Sequence, residues 1–469
     1  MPVTIPTVLP ERHVWLNAHV PHALLEPGAT GASGAAFRAG AGAAGAAAAA
    51  ALARVAIVVQ GDRIQAVHAG AGRPAGLDAG ITGFELDGAT VVSAFVDPHV
   101  HLDKGDLLAA GLAPERDLFE AVKRVRGDYV NWSERELHAR MDFALRTAWA
   151  HGTRALNSYC DWSAPEGPLA VRVLQALRER WAGRIELAIT SLAALHEFAD
   201  PARAETIARS TAAAGAALGP FIYPGAPVEL LERVFDLAER FDLRLDFHVD
   251  EHLDPPVANV AHVARLARER GWGARTVCGH CCVLGVLEPG QRDARLDELA
   301  AAGVGLVSLP STNLYLQDNG TDPADPARRR SPRRRGLLPV HEARSRGIRV
   351  AFGSDNHRDP FFPAGDLDPL QALALAAMAA HLDDPVGAWI DTVCTTPARL
   401  LGLAWDGVLR AGAPADLVIH PGRCSAEVIS RAAHGRIVVR GGQRVREALP
   451  DFRELDGVRA PPAQSADPG

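Results

Sequence analysis

Between Val91 and about Leu401 the chain alternates short apolar runs with longer amphipathic ones. The short runs read as strands at 91–98, 153–160, 184–190, 216–222, 244–250, 275–280, 303–309 and 349–354. The intervening patterns are helical. Val228, Leu231, Val234, Phe235 and Ala238 recur at helical spacing in 227–240, just behind Pro227, and Leu169, Val173, Leu177 and Trp181 form one stripe in 168–182. Eight such repeats predict an α/β protein, a (β/α)8 TIM-type barrel with its active site at the C-terminal strand ends. An open doubly wound sheet is the competing architecture, but no glycine-rich phosphate loop follows the first strand.

Shorter alternations flank this region. Val55, Ile57 and Val59, then Ile64, Ala66 and Val67, are separated by a Gly-Asp turn and predict hairpins across 11–30 and 54–95. Residues 407–419 and 435–445, with a turn at Gly441-Gly442, predict strands that return to complete the same small β-sandwich domain. The expected layout is 1–92 and 403–456 for that domain, 93–402 for the barrel, and a disordered tail at 457–469. Residues 28–53 are nearly all Ala and Gly and read as a flexible insertion.

Composition narrows the function classes. With 469 residues and 48% hydrophobic positions the chain can bury a sizeable core. A net charge of −7 argues against a general nucleic-acid binder. No apolar run is long enough to span a membrane, and the N-terminus lacks a basic start followed by an apolar core. Cys278, Cys281 and Cys282 crowd together in a way unlike a disulfide framework, so a reducing cytoplasm is the expected location.

The candidate chemistry starts at Asp97-Pro98-His99-Val100-His101-Leu102-Asp103, where the first barrel strand ends. Alternation puts His99 and His101 on one face, and two imidazoles there can share a divalent metal. A pair of ordinary core or surface histidines is the competing explanation. Three further strands end on polar residues: the fifth on His248-Val249-Asp250-Glu251, the sixth on Cys278-Gly279-His280, the eighth on Ser354-Asp355-Asn356. Packing alone does not explain that recurrence; three histidines and a carboxylate suit a divalent ion with an open water position.

On these motifs the chain resembles the amidohydrolase superfamily, in its cytosine deaminase-like branch. The matching pieces are the stretch 95–103, His248-Val249-Asp250-Glu251, Gly279-His280, Pro332-Arg333-Arg334-Arg335-Gly336, Gly353-Ser354-Asp355-Asn356 with Asp359-Pro360, and Gly412-Ala413-Pro414-Ala415-Asp416. The resemblance implies one Zn²⁺ or Fe²⁺ held by His99, His101, His248 and Asp355. It also implies Glu251 as proton shuttle, His280 as partner of the attacking water and reacting centre, and Asp355 as acceptor of the water's proton. The implied activity is hydrolytic deamination of an amino-substituted N-heterocycle, a small-molecule partner, with a homo-oligomer left open. Binuclear relatives bridge their metals with a carboxylated lysine on strand four, whereas Lys104 and Lys123 are the only lysines here. Hydrolysis of a cyclic amide or another C–N bond is the alternative, and a non-catalytic barrel scaffold a further one.

Departures from the cytosine-deaminase pattern widen the substrate range. No Gln follows strand three, where Leu192 stands; Asn356 replaces an acid after Asp355; and strand two carries Asn157-Ser158-Tyr159-Cys160-Asp161. Pyrimidine, pterin, isocytosine-like and triazine rings all remain, with Asn356, Phe361, Leu192 and Tyr159 as candidate substrate contacts. The cysteines around His280 lack a second pair at zinc-ribbon spacing, and the arginines of 328–335 lack interleaved aromatics. Lys104 fits either a pocket residue or a surface cation.

Overall fold

The computed structural model describes residues 5–27, 52–255, 258–322 and 325–459. Eight parallel strands run in sequential order: Phe95–Val100, Thr153–Asp161, Glu186–Ala194, Ala217–Ile222, Leu245–Val249, Thr276–His280, Gly305–Ser308 and Val350–Phe352. An isolated parallel bridge between Val100 and Asp355 joins the last strand region to the first, so the barrel closes through residues of the candidate site. Helices predicted at 168–182 and 227–240 form at Leu169–Arg180 and Leu231–Arg240, the latter preceded by a short 3-10 turn at Val228–Leu230. Val173, Leu177, Trp181, Leu231, Val234, Phe235 and Ala238 are buried, while Leu169 and Val228, at the starts of the two stripes, are half-buried.

The run expected as one strand at 91–98 is two. Thr90–Ser93 pairs with Leu417–His420 in a second sheet, while Phe95–Val100 enters the barrel. The switch falls at Ala94, whose N–H goes to Asp416 O, whereas Phe95 N–H goes to Gly152 O. A continuous apolar run carries no mark of that change of partner.

The second sheet draws strands from both chain ends. Arg12–Pro21, Leu52–Gln60, Arg63–Ala69, Thr82–Glu85 and Thr90–Ser93 are joined by Leu417–His420, Ile437–Arg440 and Gln443–Arg444. A bulge at Leu16-Asn17, with Asn17 at φ 53, interrupts the first strand: both halves pair with Leu52–Gln60 on one edge, while the other edge passes from Thr82–Glu85 to Thr90. Of the expected Ala/Gly insertion, residues 28–51 lie outside the described residues, and Leu52 and Ala53 already belong to a strand. Of the expected tail, residues 460–469 lie outside them, and Arg459 is held by Asp128 and Glu136. Among the described residues no helix is long and apolar enough to cross a membrane.

Candidate active site at the barrel mouth

Strand alternation delivers His99 and His101 to the barrel mouth, and the adjoining strands bring the rest. His248 lies in register with Gly279, and Val249 with His280. Gly279 leaves room for the ring: a Cβ there would sit 3.1 Å from His99 Cε1 and push it by a few tenths of an ångström. Asp97 ties the first strand to the eighth, its Oδ1 accepting the Ser354 N–H at 3.1 Å and the His99 N–H at 3.3 Å. The strands then end abruptly. Asp250, His280 and Asp355 have φ of 55, 68 and 61, a left-handed conformation that costs L-residues energy and is retained where the surroundings enforce it. For Asp250 the enforcing contacts are its carboxylate hydrogen bonds from Asn259 N–H (2.8 Å) and Val260 N–H (2.9 Å), which set the loop carrying Glu251.

Four side chains converge. His101 Nε2 lies 3.3 Å from His248 Nε2 and 3.3 Å from Asp355 Oδ1, and His99 Nε2 lies 3.6 Å from the same oxygen. Ligands at 2.0–2.1 Å from a tetrahedral ion stand roughly 3.3–3.4 Å apart, so these separations suit one divalent ion. His99 Nδ1 and Nε2 and both Asp355 oxygens are buried with no hydrogen-bond partner among the described residues. Such atoms are costly to bury bare, and a cation would satisfy His99 Nε2 and the Asp355 carboxylate. Burial, reinforced by neighbouring histidines and Lys104, holds the ring pKa values of His99, His101 and His248 well below the usual range. Neutral imidazole is the form that binds metal. Among the described residues the possible metal clusters comprise His99, His101, His248, His280 and Asp355, without a cysteine.

Beside them, Glu251 and His280 form a proton-handling pair. Glu251 Oε1 is 3.3 Å from His280 Nδ1, and Asn313 Nδ2 donates to that nitrogen at 3.0 Å and lies 3.4 Å from Glu251 Oε1. Burial, then the nearby Asp355 charge, lifts the Glu251 carboxyl well above its ordinary value, and burial brings His280 down to about 4. A neutral His280 that accepts at Nδ1 carries its hydrogen on Nε2, which has no partner among the described residues. Asn313, on the helix Pro310–Leu316 after the seventh strand, was not visible from sequence as a site residue; no motif marks it.

These groups open into a cavity of about 290 Å³. Leu192, Asn356 and Phe361 line it, together with His101, His248, Glu251 and His280. Tyr159 does not; its ring packs 4.0 Å from His99 and 4.5 Å from His248, behind the histidines. Asn356 donates to Asp359 Oδ2 at 2.7 Å. Lys104 is 3% exposed and lines the cavity, which settles it as a pocket residue. Its loop packs against His357 across Gly105, where a Cβ would come within 2.1 Å of that ring. The helix Leu118–Asp128 lays Leu118, Val122 and Arg126, four residues apart, along the cavity as a cover.

A family model described as the amidohydrolase family matches residues 182–446. The pterin deaminase of Rhizobium rhizogenes is 35% identical over 366 residues, spanning 78% of this chain and 82% of that protein. The N-isopropylammelide isopropyl amidohydrolase of a Pseudomonas strain is 23% identical over 350 residues, 71% of this chain and 81% of that one. Among solved structures, 5-methylcytosine deaminase from Klebsiella pneumoniae liganded with 5-fluorocytosine aligns with a TM-score of 0.74 at 23% identity. That alignment covers 93% of this chain and 98% of the other, a likeness of fold.

Proposed function

The chain belongs to the amidohydrolase family, and from that premise we propose that it is a metal-dependent hydrolytic deaminase releasing ammonia from a pterin-type ring. The observation that carries the reading is Glu251, a buried carboxyl beside three histidines and Asp355 at the wall of a ring-sized cavity. His99, His101, His248 and Asp355 would hold one divalent ion, Zn²⁺ or Fe²⁺, which when bound acts as a Lewis acid and lowers the pKa of water.

The chain's own groups handle the protons. Glu251, protonated because it is buried, can deliver a proton to the ring nitrogen next to the amino-bearing carbon. That makes the carbon electrophilic. Recharged by the proton released as water adds, the same carboxyl can protonate the departing amine. Asp355, 3.3 Å from His101 and buried, is placed to take that proton from the attacking water first and pass it to Glu251. The water's second proton, lost as the oxo group forms, returns Glu251 to its protonated state. His280 offers its Nε2–H to the developing oxygen, and Asn313 keeps that tautomer in place. Leu192 and Phe361 give the flat ring apolar walls, and Asn356 is a further candidate contact. The balance is ring–NH₂ plus water giving ring oxo (lactam) plus ammonia.

A bridging carboxylated lysine cannot form on the fourth strand, Ala217–Ile222, which contains none. That favours the one-metal reading over cyclic-amide hydrolysis by a binuclear site. Ammonia release from pterin, isocytosine, cytosine and an aminotriazine, measured on protein of known metal content, tests the proposal. Pterin is expected to turn over fastest; a metal-loaded preparation that frees ammonia from none of them refutes it.

A further inference from the structure

Lys104 is a buried ammonium with too few acceptors. It is 3% exposed, and among the described residues its hydrogen-bond acceptor is Asp161 Oδ1 alone, at 2.6 Å. An ammonium has three N–H donors, so two remain uncommitted at the cavity wall. Phe361 faces the same group, its ring centroid 5.1 Å from Nζ, and offers no lone pair. The pair is fixed in place. Tyr129 OH donates to Asp161 Oδ2, the Asp161 N–H donates to Asp103 Oδ2 at 2.7 Å, and Arg140 donates to the carbonyls of Asp103 (2.9 Å) and Gly105 (2.6 Å). Lys104, Asp161 and Tyr129 all line the cavity that holds Glu251 and His280. A rigid buried cation with spare donors calls for a ligand that brings acceptors.

Resting on the deaminase reading above, we infer that Lys104 is a specificity-determining residue. Its ammonium donates to an oxo oxygen already present on the substrate ring, while Asp161 and Tyr129 hold it there. The enzyme therefore selects amino-oxo rings over diamino rings of the same shape. An amino group at the oxo position would point its own N–H donors at the ammonium, leaving both sides unpaired. Sites built to pair a polar group discriminate strongly against analogues that cannot pair with it.

The test compares 2-amino-4-oxopteridine with 2,4-diaminopteridine on metal-loaded wild type, on Lys104→Met, and on the double variant Lys104→Met/Asp161→Asn. The double variant removes both charges, so it covers the case in which an unpaired Asp161 prevents folding. Binding of the deaminated ring, 2,4-dioxopteridine, is measured by calorimetry on the same preparations. Wild type is expected to favour the oxo ring by about 10²-fold in kcat/KM. Lys104→Met should lose about 10²-fold on the oxo ring and little on the diamino ring, in the range for removing a hydrogen bond to a charged group. Dioxopteridine binding should weaken by a similar factor, with metal content unchanged. The inference is overturned if wild type takes both rings equally well, if both rates fall together, or if the variant binds dioxopteridine as tightly as wild type. If wild type frees no ammonia yet binds dioxopteridine in a Lys104-dependent way, the deaminase reading fails and the role of Lys104 stands.

Discussion

Glu251 shows how one residue's surroundings define its task. A carboxyl on the surface would be ionised at neutral pH; here burial and the Asp355 charge favour the protonated form, so it can give a proton before it takes one. Glu251→Gln keeps the shape and the contact with Asn313 but exchanges no proton. The variant is expected to retain its metal and to lose about 10²–10⁴-fold in kcat. Metal content and turnover on one preparation check this, and near wild-type turnover with metal in place refutes the shuttle role. His280 and Glu251 could be read from sequence because each sits beside a strand end that already carried a motif. Asn313 and Asp161 could not be read that way, and for Lys104, which follows the first motif, the sequence left pocket and surface open. Their roles arise from contacts across 33, 57 and 58 positions of chain, to His280, Asp161 and Asp103, and no local pattern encodes such pairs.

The clearest joint between elements is Asp368. It caps the helix Pro369–Ala379 by accepting the Leu370 N–H at 3.1 Å, and it receives the guanidinium of Arg436, which precedes the sheet strand Ile437–Arg440. The Arg436 Nη1 to Asp368 Oδ1 distance is 2.8 Å, and both side chains are almost fully buried. Burial pushes the Asp368 carboxyl up, but Arg436 and His151 outweigh it and hold the group below its ordinary value. A carboxylate depressed on folding contributes stability above its unfolded pKa of about 3.9, and that contribution is lost as pH falls through the lower folded value. Asp368→Asn is therefore expected to cost about 3–5 kcal/mol at neutral pH, the range for breaking one side of a buried pair. It should also flatten the acid limb of the stability curve below about pH 4. Chemical denaturation from pH 2 to 7 checks both; equal acid limbs would show that the pair is not what ties the helix to the sheet.

At the scale of the molecule, the site is where the barrel closes. The Val100–Asp355 bridge and the Asp355 N–H bond to His99 O (2.8 Å) join first and last strands through the very residues proposed to hold the ion. Metal should then stabilise the fold as well as support activity. Chelation is expected to abolish ammonia release and to lower the melting temperature by several degrees, with one equivalent of Zn²⁺ or Fe²⁺ restoring both. Binding at a concentration a thousandfold above Kd adds about 4 kcal/mol. Two equivalents per chain, or full activity after chelation, would contradict a single-ion site.

Local sequence by itself determined the repeating strand and helix pattern, the strand-end motifs, and hence the barrel class with His99, His101, His248 and Asp355 at its mouth. Period and alternation fix which way a side chain points on its own element, which is enough to put His99 and His101 on one face; the choice of His248 and Asp355 as their partners came from the motifs' resemblance to the family. Tertiary structure decided the rest. It split 91–98 between two sheets, moved Tyr159 from the expected cavity to a packing place behind the histidines, and made Lys104 a buried donor. Each of those outcomes depends on which distant backbone or side chain lies opposite, a matter of registry and packing between elements that a single stretch of residues does not carry.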